Sequence, residues 1–469
     1  MRYISTRGEA PVLGFEDVLL AGLARDGGLY VPEDWPEFSE FEIDAFAGRP
    51  YGEVAFEIMK PFVAGAVADR DLAAMIADAY AGFDHPAVAP LRQLDADHWL
   101  LELFHGPTLA FKDVAMQVLA RLMDHVLRRR GARATIVGAT SGDTGGAAIE
   151  AFRGIDTVDV FILHPHGRVS EVQRRQMTTV PEGNIHNIAL DGTFDDCQAI
   201  VKALFNHHDF RDRLSLAGVN SINWVRIMAQ IVYYFTSAVA LGAPSRAVSF
   251  TVPTGNFGDV FAGYAARRMG LPVRRLVVAT NVNDILARTI DTGRYEVGTV
   301  VPTTSPSMDI QVSSNFERLL FDAGGRDPAA IRRLMQGLAQ SGAFRLSQEE
   351  LDAIRQVFEA GRTDEAATAR RIAATLETTG VLADPHTAVG LDVAARVLAR
   401  GDAGTMITLS TAHPAKFPDA VERACGVRPG LPPRMAGLFD RTERFTVLAN
   451  DTAAVEAFIE GRARVVLDV

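Results

Sequence analysis

The stretch Ala134-Thr135-Ile136-Val137-Gly138-Ala139-Thr140-Ser141-Gly142-Asp143-Thr144-Gly145-Gly146 decides the fold. Its first five residues form a short apolar run of the buried-strand type. A turn of glycines and hydroxyls follows, and then small residues that suit a closely packed helix. The unit recurs: Val158–Leu163 is another such run, and Val248–Val252 passes into Pro253-Thr254-Gly255-Asn256-Phe257-Gly258 and a helix from about Asp259. Met406–Leu409 is a further buried-type strand, ending in Ser410-Thr411. Repeated strand, loop and helix is the pattern of an α/β protein with a largely parallel sheet.

Working outward, residues 50–83 carry helical patterning, and Pro86 and Pro90 precede a strand-like segment at Trp99–Phe104. After the Gly106-Pro107 break, residues 111–130 read as a helix closed by Arg128-Arg129-Arg130-Gly131, with basic residues and a glycine where a helix C-terminus favours them. Residues 327–377 read as mostly helical and charged.

With 469 residues the chain is long enough for two to four domains. Its net charge of −11 offers no general attraction for nucleic acid or an anionic membrane, so neither is an expected partner and an anionic ligand needs a local basic site. Only four of the 47 basic residues are lysines: Lys60, Lys112, Lys202 and Lys416. Guanidinium does not serve as an amine nucleophile, so any Schiff-base chemistry has four candidates. Two cysteines, Cys197 and Cys425, cannot build a disulfide framework, and no His/Cys cluster points to a metal. With no continuous apolar h-region at the start and no apolar run of spanning length, a cytoplasmic protein is expected.

Three segments carry chemistry. Thr254-Gly255-Asn256-Phe257-Gly258, between a strand and a helix, can hold a phosphate on backbone N–H groups, but it lacks the lysine of an ATP loop and the third glycine of a dinucleotide loop. The hydroxyl-rich loop 139–146 can hold a carboxylate. In His105-Gly106-Pro107-Thr108-Leu109-Ala110-Phe111-Lys112-Asp113, a lysine stands at a helix start on an apolar approach, where burial and the positive helix end disfavour an ammonium and Asp113 opposes them.

Together these segments resemble the fold-type II family of pyridoxal-phosphate enzymes, and within it the threonine synthase branch. Further matching segments include Asp26–Pro32, Ser221–Arg226, Pro306–Ile310, Asp384–Thr387 and Ser410–Phe417. The resemblance implies two open, twisted, mostly parallel sheets with flanking helices plus an N-terminal domain. It divides the chain into that domain (1–95), a large cofactor domain (96–127 and 215–430), a small substrate-loop domain (128–214) and a C-terminal extension (431–469).

The resemblance also implies roles. Lys112 holds pyridoxal 5'-phosphate as a Schiff base and then shuttles protons; Gly255, Asn256, Phe257 and Gly258 bind the cofactor phosphate; Thr411 meets the pyridine nitrogen. Ser141 and Thr144 hold the substrate carboxylate. Asn223 and Arg226, on one helical face, are candidates for the substrate phosphate, with Lys416 a second cation. His105 and His413 are expected to position rather than catalyse; Asn281, Asn283 and Asp309 are expected near the edge of the site and are assigned no role. Asp143 is expected to work through its backbone or to point away, because a carboxylate beside the cofactor phenolate would be repelled. The implied reaction converts O-phospho-L-homoserine and water to L-threonine and phosphate, in a monomer or small homo-oligomer. The competing readings are a related lyase that releases ammonia and a catalytically silent protein on the same fold.

Overall fold

All eight residues of the Val158–Pro165 strand are buried, which requires helices on both faces of its sheet. In the computed structural model, which describes residues 1–467, that sheet has five parallel strands. Their order is Thr446–Ala449, Ile185–Asp191, Val158–Pro165, Ala134–Ala139, Leu216–Ala217. A second sheet has six strands in the order Phe358–Arg362, Val273–Thr280, Val248–Pro253, Met406–Ser410, His98–Glu102, Leu91–Gln93, with only the last pair antiparallel. The architecture is α/β with two mostly parallel sheets, as the motifs implied.

The sheets' edges depart from the boundaries drawn on the sequence. Leu216–Ala217, assigned with the large domain, pairs with Ala134–Ala139 in the small sheet, and the C-terminal Thr446–Ala449 closes that sheet's other edge. Phe358–Arg362, inside the stretch read as mostly helical, is the edge strand of the large sheet. An edge strand is covered on fewer sides and can carry charge: Glu359 there pairs with Arg275 at 3.0 Å. Its sequence therefore lacks the continuous apolar run that marks the central strands.

The Lys112–Arg130 helix runs through the interior, its first nine residues all buried. It ends at Gly131, whose φ of 59° lets its amide reach the Leu127 and Arg128 carbonyls. The N-terminal region forms a three-stranded antiparallel sheet followed by the helices Tyr51–Val63 and Asp69–Tyr80. It is anchored by Tyr3 and Phe62, whose rings lie 6.0 and 5.6 Å from Trp224 on the Trp224–Ala240 helix. Trp224 is fully buried, and truncating such a side chain costs about 3–5 kcal/mol. No helix among the described residues is long and apolar enough to cross a membrane.

Candidate active site

In open α/β sheets ligands bind beyond the carboxyl ends of parallel strands. Four such ends, at Glu102, Ala139, Pro253 and Ser410, lead into the segments singled out above. The lysine loop is fixed onto the segment after Ser410: the Phe111 amide donates to the Thr411 carbonyl (2.8 Å) and the His413 amide to the Leu109 carbonyl (3.0 Å). Leu109 takes a positive φ of 63° within this bridge.

Asp113 accepts from the Thr108 amide (2.8 Å) and hydroxyl (2.7 Å), and a Cβ at Gly106 would come within 2.4 Å of it. Asp113 is thus a brace for the loop, and burial pushes its carboxyl up to about 6. The expectation that Asp113 counters Lys112 is corrected, because helix geometry turns its side chain back to Thr108. The counter-ion of Lys112 is Asp143.

The Asp143 side chain faces inward, contrary to the reading that it would point away. Its Oδ2 accepts from Lys112 Nζ and Ser307 Oγ (both 3.3 Å), and its Oδ1 accepts from Lys416 Nζ and Gln173 Nε2 (both 2.9 Å). Two ammonium groups make a buried carboxylate tolerable here. Burial would raise its pKa, but Lys416, then Lys112 and His386, hold it well below the usual carboxylate range. For Lys112 burial dominates and lowers its pKa below the ordinary lysine value, opposed by Asp143 and reinforced by Arg226 and Lys416.

Two cradles flank this amine. The amides of Gly255, Asn256, Phe257 and Gly258 have no hydrogen-bond acceptor among the described residues, and they open the Gly258–Arg268 helix. Ser313 Oγ donates to the Gly255 carbonyl (2.7 Å), and the Asn315 amide and side chain donate to that of Asn256 (3.1 and 3.0 Å). Phe257 sits at φ 63°, its buried ring wedged between Phe316 and Phe358. Consecutive free amides at a helix N-terminus form a phosphate site. In the other cradle the amides of Ser141, Asp143 and Thr144 likewise lack acceptors, and so do the half-buried hydroxyls of Ser141 and Thr144. Thr140 Oγ1 shapes that turn by accepting from the Gly142 and Gly145 amides, both at 2.9 Å.

The other candidates divide. Thr411 is buried with its hydroxyl unengaged among the described residues. Arg226 is 3% exposed, has one bond of 3.3 Å to the Val219 carbonyl, and leaves its Nε without a partner. Burial brings its guanidinium down to about 10, with Asp259 opposing, so it is charged at neutral pH. Asn223 caps the helix one turn before Arg226, whose amide donates to its carbonyl (3.1 Å); the Asn223 side chain accepts from the Val225 amide (3.0 Å) and donates to the Leu19 carbonyl (2.9 Å).

His105 pairs with Glu102 at 2.9 Å, and His413 accepts from the Ala415 amide at 3.1 Å, while burial holds its imidazole down to about 4. Asn281 and Asn283 both donate to Asp309 Oδ1, at 2.8 and 3.0 Å, in a closed network. Lys60 lies on a helix paired with Asp69, and Lys202 also lies on a helix.

Gln173, Ser307 and His386, assigned no role above, are gathered by the fold around Asp143. His386 Nε2 accepts from the Ser307 amide (3.3 Å), and its Nδ1 meets Asp384 (2.8 Å). Ser307 and His386 lay in quoted motifs; Gln173 carried no signal, because only the cap of its helix by Ser170 aims it at Asp143.

Three family models match the chain: threonine synthase N terminus over residues 2–80, pyridoxal-phosphate dependent enzyme over 84–412, and threonine synthase C-terminal over 387–459. The chain is 58% identical to the threonine synthase of Pseudomonas aeruginosa over 460 residues, covering 98% of each protein. The chain belongs to the threonine synthase family. Among solved structures, pyridoxal-phosphate-bound threonine synthase from Brucella melitensis superposes with a TM-score of 0.96 at 60% identity, covering 99% of this chain and all of that one. The Escherichia coli threonine synthase superposes at 0.83 with 32% identity, covering 98% of this chain and all of that one. Membership of the threonine synthase family makes pyridoxal phosphate the cofactor against which the cradle at 255–258 is to be judged. The two fit: a buried amine whose pKa burial lowers stands with a phosphate-type cradle at the mouth of the same sheets.

Proposed function

We propose that this protein forms L-threonine and phosphate from O-phospho-L-homoserine and water. The observation that carries the reading is the combination of the buried Lys112 amine with four consecutive acceptor-free amides at 255–258. Pyridoxal phosphate, when bound, supplies an electron sink for the substrate's α-carbon.

The protein's residues do the rest. Lys112 is the covalent attachment point, and the 255–258 amides with the helix end behind them hold the cofactor phosphate. The Thr411 hydroxyl meets the pyridine nitrogen without placing a charge on it, which suits elimination and replacement. The hydroxyls and free amides of Ser141 and Thr144 take the substrate carboxylate, which orients Cα toward Lys112. A neutral Lys112 amine removes the Cα proton, and the shuttle then takes a proton from Cβ while phosphate leaves Cγ. A proton returned to Cγ, water added at Cβ and a last proton at Cα complete threonine. Arg226, with an unused Nε, stabilises the departing phosphate.

Cys197 and Cys425 are unpaired, and we place the protein in a reducing cytoplasm, as a monomer or small homo-oligomer. The deciding experiment incubates the purified chain with O-phosphohomoserine and measures threonine and phosphate together. Equal yields are expected. Release of an oxo acid and ammonia would instead identify a related lyase, and failure to bind the cofactor a silent protein. Borohydride reduction followed by peptide mapping is expected to label Lys112.

A further inference from the structure

Lys416 is fully buried, yet it touches no cradle amide; its ammonium donates to the Thr108 carbonyl (2.7 Å) and meets Asp143 Oδ1 (2.9 Å). A buried lysine is costly unless its charge is used. Its partner is already within reach of another cation, because Asp143 Oδ2 lies 3.3 Å from Lys112 Nζ. Left with Lys112 alone, a buried carboxylate would bind that amine as a fixed ammonium, a poor nucleophile and no base. Gln173 adds a second donor to Oδ1, so the shorter contacts all fall on the side away from Lys112.

We propose that Lys416 is a positioning residue that takes Asp143 as its own counter-ion, so that the carboxylate orients Lys112 without locking it as an ammonium. The proposal rests on the reading of Lys112 as the attachment lysine. Charge arithmetic supports it: with Lys416 present the buried cluster of two lysines and one carboxylate carries one excess positive charge, which releasing the Lys112 proton removes. Without Lys416 the same release leaves the Lys112–Asp143 pair with a net negative charge. Lys416 thereby both engages the acceptor and repels the neighbouring proton. Arg226 and His386 also face the cluster, as do Asp259 toward Lys112 and Asp113 toward Lys416, and each of these side chains is retained in a substitution at 416.

The scarcity of lysine makes the test direct. Full-length chain freed of cofactor and labelled with 13C at lysine Cε gives four signals, and Lys112→Arg assigns the one that matters. Each signal's pH dependence reports its own amine. Lys416→Gln keeps an amide donor for the Thr108 carbonyl while removing the charge. It is expected to raise the Lys112 midpoint by about one pH unit or more, and adding Asp143→Asn is expected to bring it down again. Lys416→Arg, which keeps the charge, is expected to stay near the parent, and serves as the folded reference if Lys416→Gln is unstable. In that event the same comparison is made between Asp143→Asn and Asp143→Asn with Lys416→Met, where the second midpoint must lie higher.

An unchanged or lowered midpoint on losing the charge at 416 overturns the proposal. So does a double variant that titrates like Lys416→Gln. The readout uses neither cofactor nor substrate, so this failure is separate from a failure to form threonine.

Discussion

The Phe111 amide donates to the Thr411 carbonyl across 2.8 Å. This bond sets the residue before Lys112, the proposed attachment lysine, against the residue expected at the cofactor's ring nitrogen. Because it uses backbone atoms, the Thr411 side chain can be changed while the contact stays. Thr411→Val is expected to keep the melting temperature within a few degrees and to lower kcat about 10- to 100-fold, the worth of one hydrogen bond of about 1–3 kcal/mol. Steady-state kinetics beside a thermal melt checks both halves; unchanged kcat removes the hydroxyl from the site.

Gly255 faces the 306–308 turn so closely that an added Cβ would lie 2.7 Å from the Ser307 carbonyl oxygen and 3.3 Å from Met308 Cα. Both neighbours are backbone and cannot swing aside. Gly255→Ala is expected to displace the phosphate cradle, cost about 1–3 kcal/mol of stability, and weaken cofactor retention. Dialysis followed by absorbance of the bound cofactor measures the last effect.

Arg226 is a buried cation with a donor left unused among the described residues. Arg226→Lys retains the charge but loses the fork geometry, and kcat/KM for O-phosphohomoserine is expected to fall about 10-fold or more. Reductive labelling of Lys112 is expected to persist. Kinetics equal to the parent's would take Arg226 out of phosphate recognition.

His164, on the central strand of the small sheet, is buried, and neither ring nitrogen has a hydrogen-bond partner among the described residues. Burial holds it down to about 4, whereas in the unfolded chain it titrates near 6.5. The folded form therefore binds fewer protons between these values, and stability falls as pH drops from about 6.5 toward 4. The effect reaches about 3 kcal/mol for a group so shifted. His164→Leu is expected to make urea-unfolding stability less steep over that window, and an unchanged slope would show that His164 does not carry it.

The site shows why some of it was legible in the sequence. Scarcity left four lysines open, and the resemblance of the 104–113 motif singled out Lys112 among them; the 254–258 and 139–146 loops stood out because glycines and hydroxyls interrupt a buried strand before a helix. Arg226 was named for its charge; Asn223, named with it, is also a helix cap tied to Leu19. Cap and ligand read alike in sequence, because both ask for a short polar side chain at a helix start.

Local composition and spacing were enough for the α/β class, for the four lysines to which amine chemistry is confined and for two loops suited to anions. Tertiary structure alone decided the charge arrangement: Asp143, Lys416 and Lys112 are separated by up to 304 positions, yet they meet within 3.3 Å. It likewise decided that Thr446–Ala449 completes the small sheet. Strand partners and buried counter-ions are chosen by which distant surfaces the folded chain brings together, and a buried charge finds its place only where a partner offsets its desolvation.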